Sequence, residues 1–309
     1  MSVNTVENAK ELFADHVVIF NEKSASYKKA KKKWKHKLSG LVPIPVQELT
    51  EGWLKERSPD GLIVMGGDGT INSTANIILN SGLDIPMGII PGGGGNDFYK
   101  RQLGRCQEDD GSGIIVHEVF ELEYSSSIQK RCATNTIEWG IGALVAERRE
   151  NNEGRFLTGM LKYLYLVIKS MPEFNSWKAT IRIDGKEMEF DDLSSVVVGF
   201  GSSTMGGGYI MFPEERSGPN KDAPLVLIAQ GFSRFKALGL ILKFIRAKQH
   251  KDHRLQYYPF NTLELIPYDN GVVKLTVDGE LCPEPPVSIK LGDRKLKTFC
   301  VTSNGYLPA

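Results

Sequence analysis

Apolar runs alternate with amphipathic segments through the first third of the chain. Strand-like runs of large and β-branched apolar residues stand at 17–20, 62–65 and 87–90. From Ile71 to Leu79 the apolar residues recur at helical spacing, and Gly82 follows as a stop signal. This βαβα order predicts an α/β N-terminal domain with a mostly parallel, Rossmann-like sheet and helices on its faces.

Two further elements are expected between the first two of these strands. A helix is predicted over 27–38, with Ser24 or Ser26 as its cap and Gly40 as its stop. The following stretch, 41–49, has an extended pattern, and the prolines within it indicate an edge strand.

After about residue 115 the pattern changes to short strands separated by turn signals. The predicted strands cover 179–184, 187–190, 195–200, 225–229, 262–266, 272–277, 287–291 and 295–301. Turns are expected at Asp184-Gly185, Asp269-Asn270-Gly271 and Gly292-Asp293. With helices predicted at 155–171 and 233–249, this half is expected to be a C-terminal β-sandwich domain with inserted helices.

The length of 309 residues favours two domains. We place a nucleotide-binding domain at 1–122 and a β-rich domain at 123–309, with the final residues allowed to return to the first domain.

The net charge of +1 argues against a nucleic-acid partner. The polar N-terminus lacks the apolar core of a signal peptide, and no segment is long and apolar enough to span a membrane. These features predict a cytoplasmic protein whose membrane contact would be peripheral.

The four cysteines, Cys106, Cys132, Cys282 and Cys300, are widely spaced and form no CxxC motif. This spacing is typical of reduced thiols and offers no zinc site.

Two glycine clusters carry the candidate chemistry. Gly66-Gly67-Asp68-Gly69-Thr70 and Pro91-Gly92-Gly93-Gly94-Gly95-Asn96-Asp97 each stand between a predicted strand and a predicted helix. Glycine allows backbone N–H groups to approach phosphate oxygens closely, and a helix N-terminus favours negative charge. The pair therefore indicates a nucleoside triphosphate site. The alternative is a tight turn in which Asp68 and Thr70 cap the next helix. No GxxxxGK[ST] loop is present, and Asn72 stands where a dinucleotide fingerprint needs its third glycine.

The two loops together resemble the diacylglycerol kinase catalytic domain, whose superfamily includes diacylglycerol, sphingosine and ceramide kinases. Further matches are the opening strand with Asn21 and Ser24, the turn Gly206-Gly207-Gly208 and the hairpin Asp278-Gly279-Glu280. The stretch from Ile137 through Gly154-Arg155 is most similar to the sphingoid-kinase branch. The resemblance extends across most of the chain.

The resemblance implies an ATP- and Mg²⁺-dependent kinase that phosphorylates a hydroxyl of a diacylglycerol-like or sphingoid lipid at a membrane surface. It assigns Asp68 as the catalytic base, and Asp278 as the residue that would hold the metal ion. The nucleotide-binding residues that it implies are Asn21, Ser24, Gly66, Gly67, Gly69, Thr70, Gly92, Gly93, Gly94, Gly95, Asn96, Asp97, Arg155, Asp278 and Glu280. For Asp278 and Glu280 a plain Asp-Gly hairpin turn is an equally weighted alternative.

The sequence also departs from the family pattern. Gly94 replaces the threonine of the usual Gly-Thr-Gly-Asn-Asp, and no carboxylate occurs from Ile141 to Ala146, where sphingoid kinases carry one. A neutral lipid alcohol is therefore the expected acceptor, unless Glu138 or Glu147 supplies the charge. Two alternatives stay open: an NAD kinase-like enzyme, which shares the GGDG loop, and a catalytically weak family member that binds nucleotide or lipid.

Two amphipathic segments have a structural interpretation and an alternative that involves lipid. The lysine run at 28–37 predicts a solvated helix face with Trp34 packed on the sheet, and the alternative is attraction to anionic lipid headgroups. The apolar positions of the later helix, Phe156, Met160, Leu161, Leu164 and Ile168, have the spacing of a core face. We expect that face to pack on the β-rich domain; the alternative, which is compatible with such packing, is that it forms a lipid tunnel.

Overall fold

The computed structural model describes residues 16–24, 27–35, 38, 41, 43–106, 113–125, 131–157, 159–218, 220–232, 239–240, 243–244, 248–268, 273–302 and 305–306. The chain divides into two compact units, one of Met1–Glu118 with Arg294–Ala309 and one of Val119–Asp293. The N-terminal segment to residue 15, Ser26, Gly40, the turn at 269–271 and most of the helix expected at 233–249 lie outside the described residues.

The first unit alternates strands and helices. In chain order they are β1 (His16–Phe20), α1 (Tyr27–Trp34), β2 (Pro43–Pro45), α2 (Glu51–Arg57), β3 (Gly61–Gly66), α3 (Asp68–Ser81), β4 (Met87–Pro91), α4 (Asp97–Cys106) and the start of β5 (Ile114–Glu123). The first four strands pair in parallel in the order β4-β3-β1-β2. This arrangement confirms the predicted parallel α/β sheet, with the proline-containing β2 at its edge.

Local sequence signals explain where the helices of this unit begin and end. Ile71, Ala75 and Ile78 form the buried face of α3, and Gly82 ends the helix with φ of 74°. Helix α1 ends at Trp34 and is shorter than predicted; Trp34 packs in the core while the lysines face outward. Helix α2 was not predicted, although Thr50 caps it by accepting a hydrogen bond from Trp53 N at 3.1 Å.

The second unit is dominated by antiparallel strands. Its elements are β6 (Arg131–Ala133), β7 (Thr136–Gly140), α5 (Ile141–Glu150), α6 (Gly159–Ser170), β8 (Trp177–Ile183), β9 (Lys186–Phe200), β10 (Thr204–Met205), β11 (Tyr209–Ile210), α7 (Glu214–Ser217), β12 (Pro224–Gln230), β13 (Leu255–Pro259), β14 (Thr262–Pro267), β15 (Leu275–Val277), β16 (Glu280–Cys282) and most of β17 (Ser288–Phe299). Short 3-10 turns lie at Met171–Glu173 and Gln249–Lys251. The chain ends in the first unit with β18 (Val301–Thr302) and β19 (Gly305–Tyr306).

Strand β9 organises the sandwich of the second unit. Its first half pairs with β8, and its second half pairs with β7 on one side and β12 on the other. The Asp184-Gly185 hairpin is confirmed, since both residues have the positive φ of a tight turn, 48° and 81°. The two strands predicted at 187–190 and 195–200 are one strand, with an irregularity opposite Trp177–Ala179.

The turn predicted at Gly292-Asp293 is wrong, because β17 runs through both residues. A Cβ on Gly292 would lie 2.8 Å from Glu121 Cγ and 3.0 Å from Val119 O. Glycine therefore stands here because another strand approaches closely, and its presence does not mark a turn.

The expectation of four reduced thiols is also wrong, because Cys106 and Cys300 form a disulfide with Cα atoms 6.3 Å apart. The two residues are 194 positions apart in the chain, so their spacing carries no signal of the bond. Cys132 and Cys282 are free and buried.

Helix α6 differs from its prediction in both its start and its orientation. Gly154 and Gly159 take positive φ values of 62° and 57°, so the backbone turns before the helix begins. Tyr163, Leu166 and Val167 face the interior. Phe156, Met160, Leu161 and Ile168, which were expected to form the core face, are exposed.

Among the described residues, no helix has both the length and the apolar content needed to cross a bilayer.

Candidate functional site

The two glycine loops lie side by side in the first unit. Strands β3 and β4 are in register, with Gly66 opposite Pro91, so both loops leave the carboxyl ends of neighbouring strands. Gly92 N donates to Gly66 O at 2.7 Å. A Cβ on Gly93 would lie only 2.5 Å from Gly67 Cα, and one on Gly67 only 2.9 Å from Gly93 Cα. Glycine at 67 and 93 therefore permits direct backbone packing of one loop on the other.

Side chains then fix the shape of the second loop. Asn96 adopts φ of 55°, accepts from Gly93 N at 2.9 Å and donates through Nδ2 to Gly93 O at 2.9 Å. Asp68 Oδ1 accepts from Phe98 N at 3.0 Å, in the first turn of α4. Because a helix N-terminus favours a negative charge, this bond holds the carboxylate of the first loop at the start of the helix that follows the second.

The capping alternative does not describe this geometry. The N-cap of α3 is Gly67, which has no side chain to accept a hydrogen bond from the first N–H groups of the helix. Gly94 is exposed, and a Cβ there would meet no atom within 4 Å. The loops thus combine rigid backbone with an open approach, which is the arrangement that favours phosphate oxygens.

Residues at the end of β1 join the same site. Asn21 Nδ2 donates to Thr70 Oγ1 at 3.3 Å, while Asn21 Oδ1 accepts from Lys23 N at 3.0 Å. Ser24 N donates to Asn21 O at 3.0 Å, which closes the turn before α1. Asp97 is buried in the first turn of α4. The structure therefore brings together, within one unit, the expected residues from Asn21 to Asp97.

The other predicted residues belong to the second unit. Asp278 and Gly279 form a tight turn with φ of 51° and 82°. The oxygens of Asp278 accept four hydrogen bonds: from Thr134 N at 2.8 Å, Thr134 Oγ1 at 2.7 Å, Asn135 N at 2.8 Å and Thr136 N at 2.9 Å. Glu280 and Arg155 are exposed. Arg149, which sequence reasoning did not single out, donates to Gly279 O.

The described residues do not fit a preformed magnesium cage. They contain no cluster of three or more carboxylate, histidine or cysteine side chains that could hold a metal ion. Both oxygens of Asp278 are already engaged by protein donors, so coordination of a metal ion would require it to release them.

An apolar cavity of about 120 Å³ lies within the second unit. Strands β9 and β12 and helix α6 contribute to its wall, with Tyr163, Leu164, Val167, Val197, Leu227 and Ala229 among the lining residues. Its volume is of the same order as engineered cavities that bind a small hydrocarbon. The carboxyl-bearing residue in its lining is Glu138, on β7.

Glu138 is a buried carboxyl group in an apolar wall. Burial raises its pKa to about 7, and hydrogen bonds from Gly142 N and Ser195 Oγ oppose the shift. A Cβ on Gly142 would lie 1.8 Å from Glu138 Oε2, so the glycine allows the carboxyl group to sit against the first turn of α5. Glu147, the other acid considered, is half-buried and pairs with Lys274 at 2.8 Å.

The raised pKa of Glu138 predicts a specific dependence of stability on pH. Because the folded-state pKa lies above the ordinary value of 4.5, the group destabilises the fold progressively as pH rises through about 7. Glu138→Gln, which keeps an acceptor for Gly142 N, should become more stable relative to the wild type by up to roughly 3 kcal/mol between about pH 5 and about pH 8. Apparent Tm measured across this range checks the result.

Glu147→Gln is the matched control, since it makes the same substitution at a residue that pairs with Lys274 and does not line the cavity. A wild type and Glu138→Gln variant with parallel pH profiles would show that the carboxyl group titrates normally.

Two known family models match the chain, one in each unit. The diacylglycerol kinase catalytic domain matches residues 15–119. The YegS C-terminal NAD kinase beta sandwich-like domain matches residues 135–300, which is more than half of the chain.

Individual relatives agree with these matches. A protein of Staphylococcus carnosus (strain TM300) named "Putative lipid kinase" is 26% identical over 258 residues, covering 80% of this chain and 79% of the relative. One of Staphylococcus haemolyticus (strain JCSC1435) with the name "Putative lipid kinase SH2167" is 26% identical over 247 residues, covering 79% and 78%. A crystal structure of a diacylglycerol kinase from Bacillus anthracis str. Sterne has a TM-score of 0.64 at 17% identity, covering 95% of this chain and 97% of that one. At this identity the structural match supports the fold.

Proposed function

This chain belongs to the lipid kinase family that joins a diacylglycerol kinase catalytic domain to a YegS-type β-sandwich, and from that premise we propose that it transfers the γ-phosphoryl group of ATP to a lipid hydroxyl. The observation that carries the proposal is the pair of interlocked glycine loops, with Asp68 fixed between them. The acceptor that we favour is a neutral, diacylglycerol-like lipid alcohol.

The proposed roles follow from the geometry of the first unit. The backbone N–H groups at the start of α3 and around Gly94 bind the phosphates of ATP, because they present donors and the positive end of a helix. Asp68 accepts the proton of the lipid hydroxyl as it attacks the γ-phosphorus. Phosphoryl transfer depends mainly on alignment and charge stabilisation, so a rigid loop pair suits the reaction.

The proposal includes Mg²⁺ only as an ion that would be bound together with the phosphates of ATP. Proteins commonly hold Mg²⁺ through one or two carboxylates together with substrate phosphates. Since the described residues form no cage for the ion, we derive no step through it.

The cavity of the second unit is the proposed site for hydrocarbon of the acceptor. Its wall is almost wholly apolar, and removing a lipid chain from water into such a wall contributes about 25 cal/mol per Å² of apolar surface. An NAD kinase-like activity would need a polar binding site for the acceptor nucleotide, which this wall does not offer. Because a lipid acceptor resides in a membrane, the proposal implies that the protein contacts the membrane surface peripherally.

A transfer assay with labelled ATP tests the proposed function. The purified chain is incubated with Mg²⁺, ATP and, in separate reactions, diacylglycerol, monoacylglycerol, ceramide, sphingosine or NAD. We expect label to enter a neutral lipid alcohol. Transfer to NAD alone would replace the proposal with the NAD kinase alternative, and nucleotide binding without transfer to any acceptor would support a catalytically weak protein.

A larger side chain in the cavity should lower the turnover of the lipid acceptor and leave the binding of ATP unchanged. Ala229 is buried on β12, on the same face as Leu227. We expect Ala229→Leu to lower kcat/KM for a long-chain acceptor by about tenfold, because added methylene groups occupy space that the chain needs. The KM for ATP should not change.

Leu227→Met is the matched control, since it conserves volume at a neighbouring cavity position. If the folded Ala229→Leu enzyme turned over long-chain lipid at the wild-type rate, the acceptor would have to bind elsewhere.

A further inference from the structure

The outer face of helix α6 is an exposed apolar surface that the fold leaves uncovered. We define it by Phe156, Met160, Leu161, Tyr165 and Ile168. Phe156 is 73% exposed and Leu161 65% exposed, the two highest values among the large apolar side chains in the described part of the chain. Leu161, Tyr165 and Ile168 stand at i, i+4 and i+7, so they share one side of the helix.

The surface is held in shape by its own contacts. The rings of Phe156 and Tyr165 meet edge to face with centroids 5.6 Å apart. The opposite side of the same helix, at Tyr163 and Val167, lines the apolar cavity, and Leu164 reaches the cavity from the edge of the outer face. A helix that is apolar on both sides is stable in a folded protein when each side faces an apolar environment, and within the described part of the chain only the inner side has one.

The charges on α6 discriminate between candidate partners. The helix carries Lys162 and Lys169 and contains no acidic residue. Lys169 Nζ lies 3.6 Å from Glu153 Oε2 but remains 51% exposed. A second copy docking through the same face about a twofold axis would bring these lysines towards each other. Anionic headgroups beside hydrocarbon would instead match both the charges and the apolar side chains.

We propose that the outer face of α6 inserts into the interfacial layer of an anionic bilayer. This inference rests on the proposed function, which requires a lipid acceptor. With Leu161 and Ile168 in the bilayer, helix α6 would lie directly between the membrane and the cavity. The lipid would then reach the cavity wall at Leu164 and Val167 without crossing open water.

Vesicle co-sedimentation of the full chain tests the surface directly and without catalysis. The probes are phosphatidylcholine vesicles with and without phosphatidylglycerol, at low and high salt. We expect Leu161→Ser combined with Ile168→Ser to weaken partition at least about tenfold on both kinds of vesicle. Lys162→Gln combined with Lys169→Gln should weaken it only where phosphatidylglycerol is present at low salt.

Ile266→Ser combined with Val287→Ser is the matched control, since these side chains are 43% and 49% exposed elsewhere in the same unit. An equal loss of partition in this control, or none in the α6 serine variant, would overturn the proposal. A wild type that sediments as a dimer and becomes monomeric on the α6 substitutions, with vesicle binding intact, would assign the face to a second copy.

Activity assays separate this inference from the proposed function. With a short-chain lipid alcohol dispersed as monomers, the α6 serine variant should match the wild type, whereas on vesicles its rate should fall. Absence of transfer by the wild type to any acceptor would overturn the proposed function and leave the partition result as the test of the docking surface.

Discussion

Asp68→Asn is expected to lower the rate of phosphoryl transfer by ~10²–10⁴-fold, the loss that typically follows removal of a general base. The fold should survive, because the amide oxygen of asparagine can still accept the hydrogen bond from Phe98 N that Asp68 accepts at 3.0 Å. ATP affinity should change little, since in the proposed role the carboxylate serves the acceptor hydroxyl. Single-turnover transfer to the best acceptor, with ATP titration by calorimetry, measures both quantities.

Asp60→Asn is the matched control. Asp60 is exposed just before β3, at the end of the strand opposite to Asp68, so the same chemical change there should leave the rate intact. A wild-type rate of transfer by a correctly folded Asp68→Asn enzyme would show that Asp68 does not accept the proton of the lipid hydroxyl. A large loss of ATP affinity with a proportionate loss of rate would instead place its function in nucleotide binding.

The elements around the glycine loops could be predicted because their signals are local. Strands β3 and β4 are short apolar runs, α3 has apolar residues at helical spacing, and Gly82 ends it. The parallel order follows from the alternation of strand and helix. Asp184-Gly185 likewise sets its own hairpin, because both residues adopt positive φ.

The features that the sequence could not predict depend on contacts between distant residues. Gly292 resembles a turn residue, but it faces Val119 and Glu121. The disulfide of Cys106 with Cys300 has no signal in either neighbourhood. Helix α6 has apolar residues around much of its circumference, so spacing alone could not identify the side that packs inside. Because of that ambiguity, Met160, Leu161 and Ile168 were predicted to lie in the core and are exposed, whereas Leu164 does line the inner cavity.

Within the candidate site, sequence reasoning identified residue types more readily than their contacts. The glycine clusters were conspicuous, but the sequence did not reveal the reciprocal pair between Asn96 and Gly93 within the second loop, or the hydrogen bond from Phe98 N to Asp68 of the first loop. The hydrogen bonds from the backbone N–H groups of residues 134–136 to the Asp278 carboxylate could not be predicted either. The sequence showed only the Asp278-Gly279 pair, which was equally compatible with a ligand-binding residue and with a hairpin turn.

Gly94→Val is expected to weaken ATP binding by roughly ten- to a hundredfold while leaving stability nearly unchanged. Loss of one or two hydrogen bonds from backbone donors to charged phosphate oxygens accounts for a change of this size. The position is open, since a Cβ at residue 94 would have no atom within 4 Å, and its φ lies outside the left-handed region. A β-branched side chain would therefore disturb a ligand at this loop without straining the protein.

Two glycine variants make the result specific. Gly104→Val, at an equally open position in α4, should leave helix stability unchanged or raise it slightly, because glycine is the poorer helix former, and should leave ATP affinity intact. Gly93→Ala should lower the apparent Tm, because its Cβ would lie 2.5 Å from the Gly67 backbone. Calorimetric titration with ATP and thermal unfolding of all three variants distinguish packing from ligand approach. Wild-type affinity in Gly94→Val would show that this loop does not contact phosphate, and the nucleotide would then have to bind through the N-terminus of α3 alone.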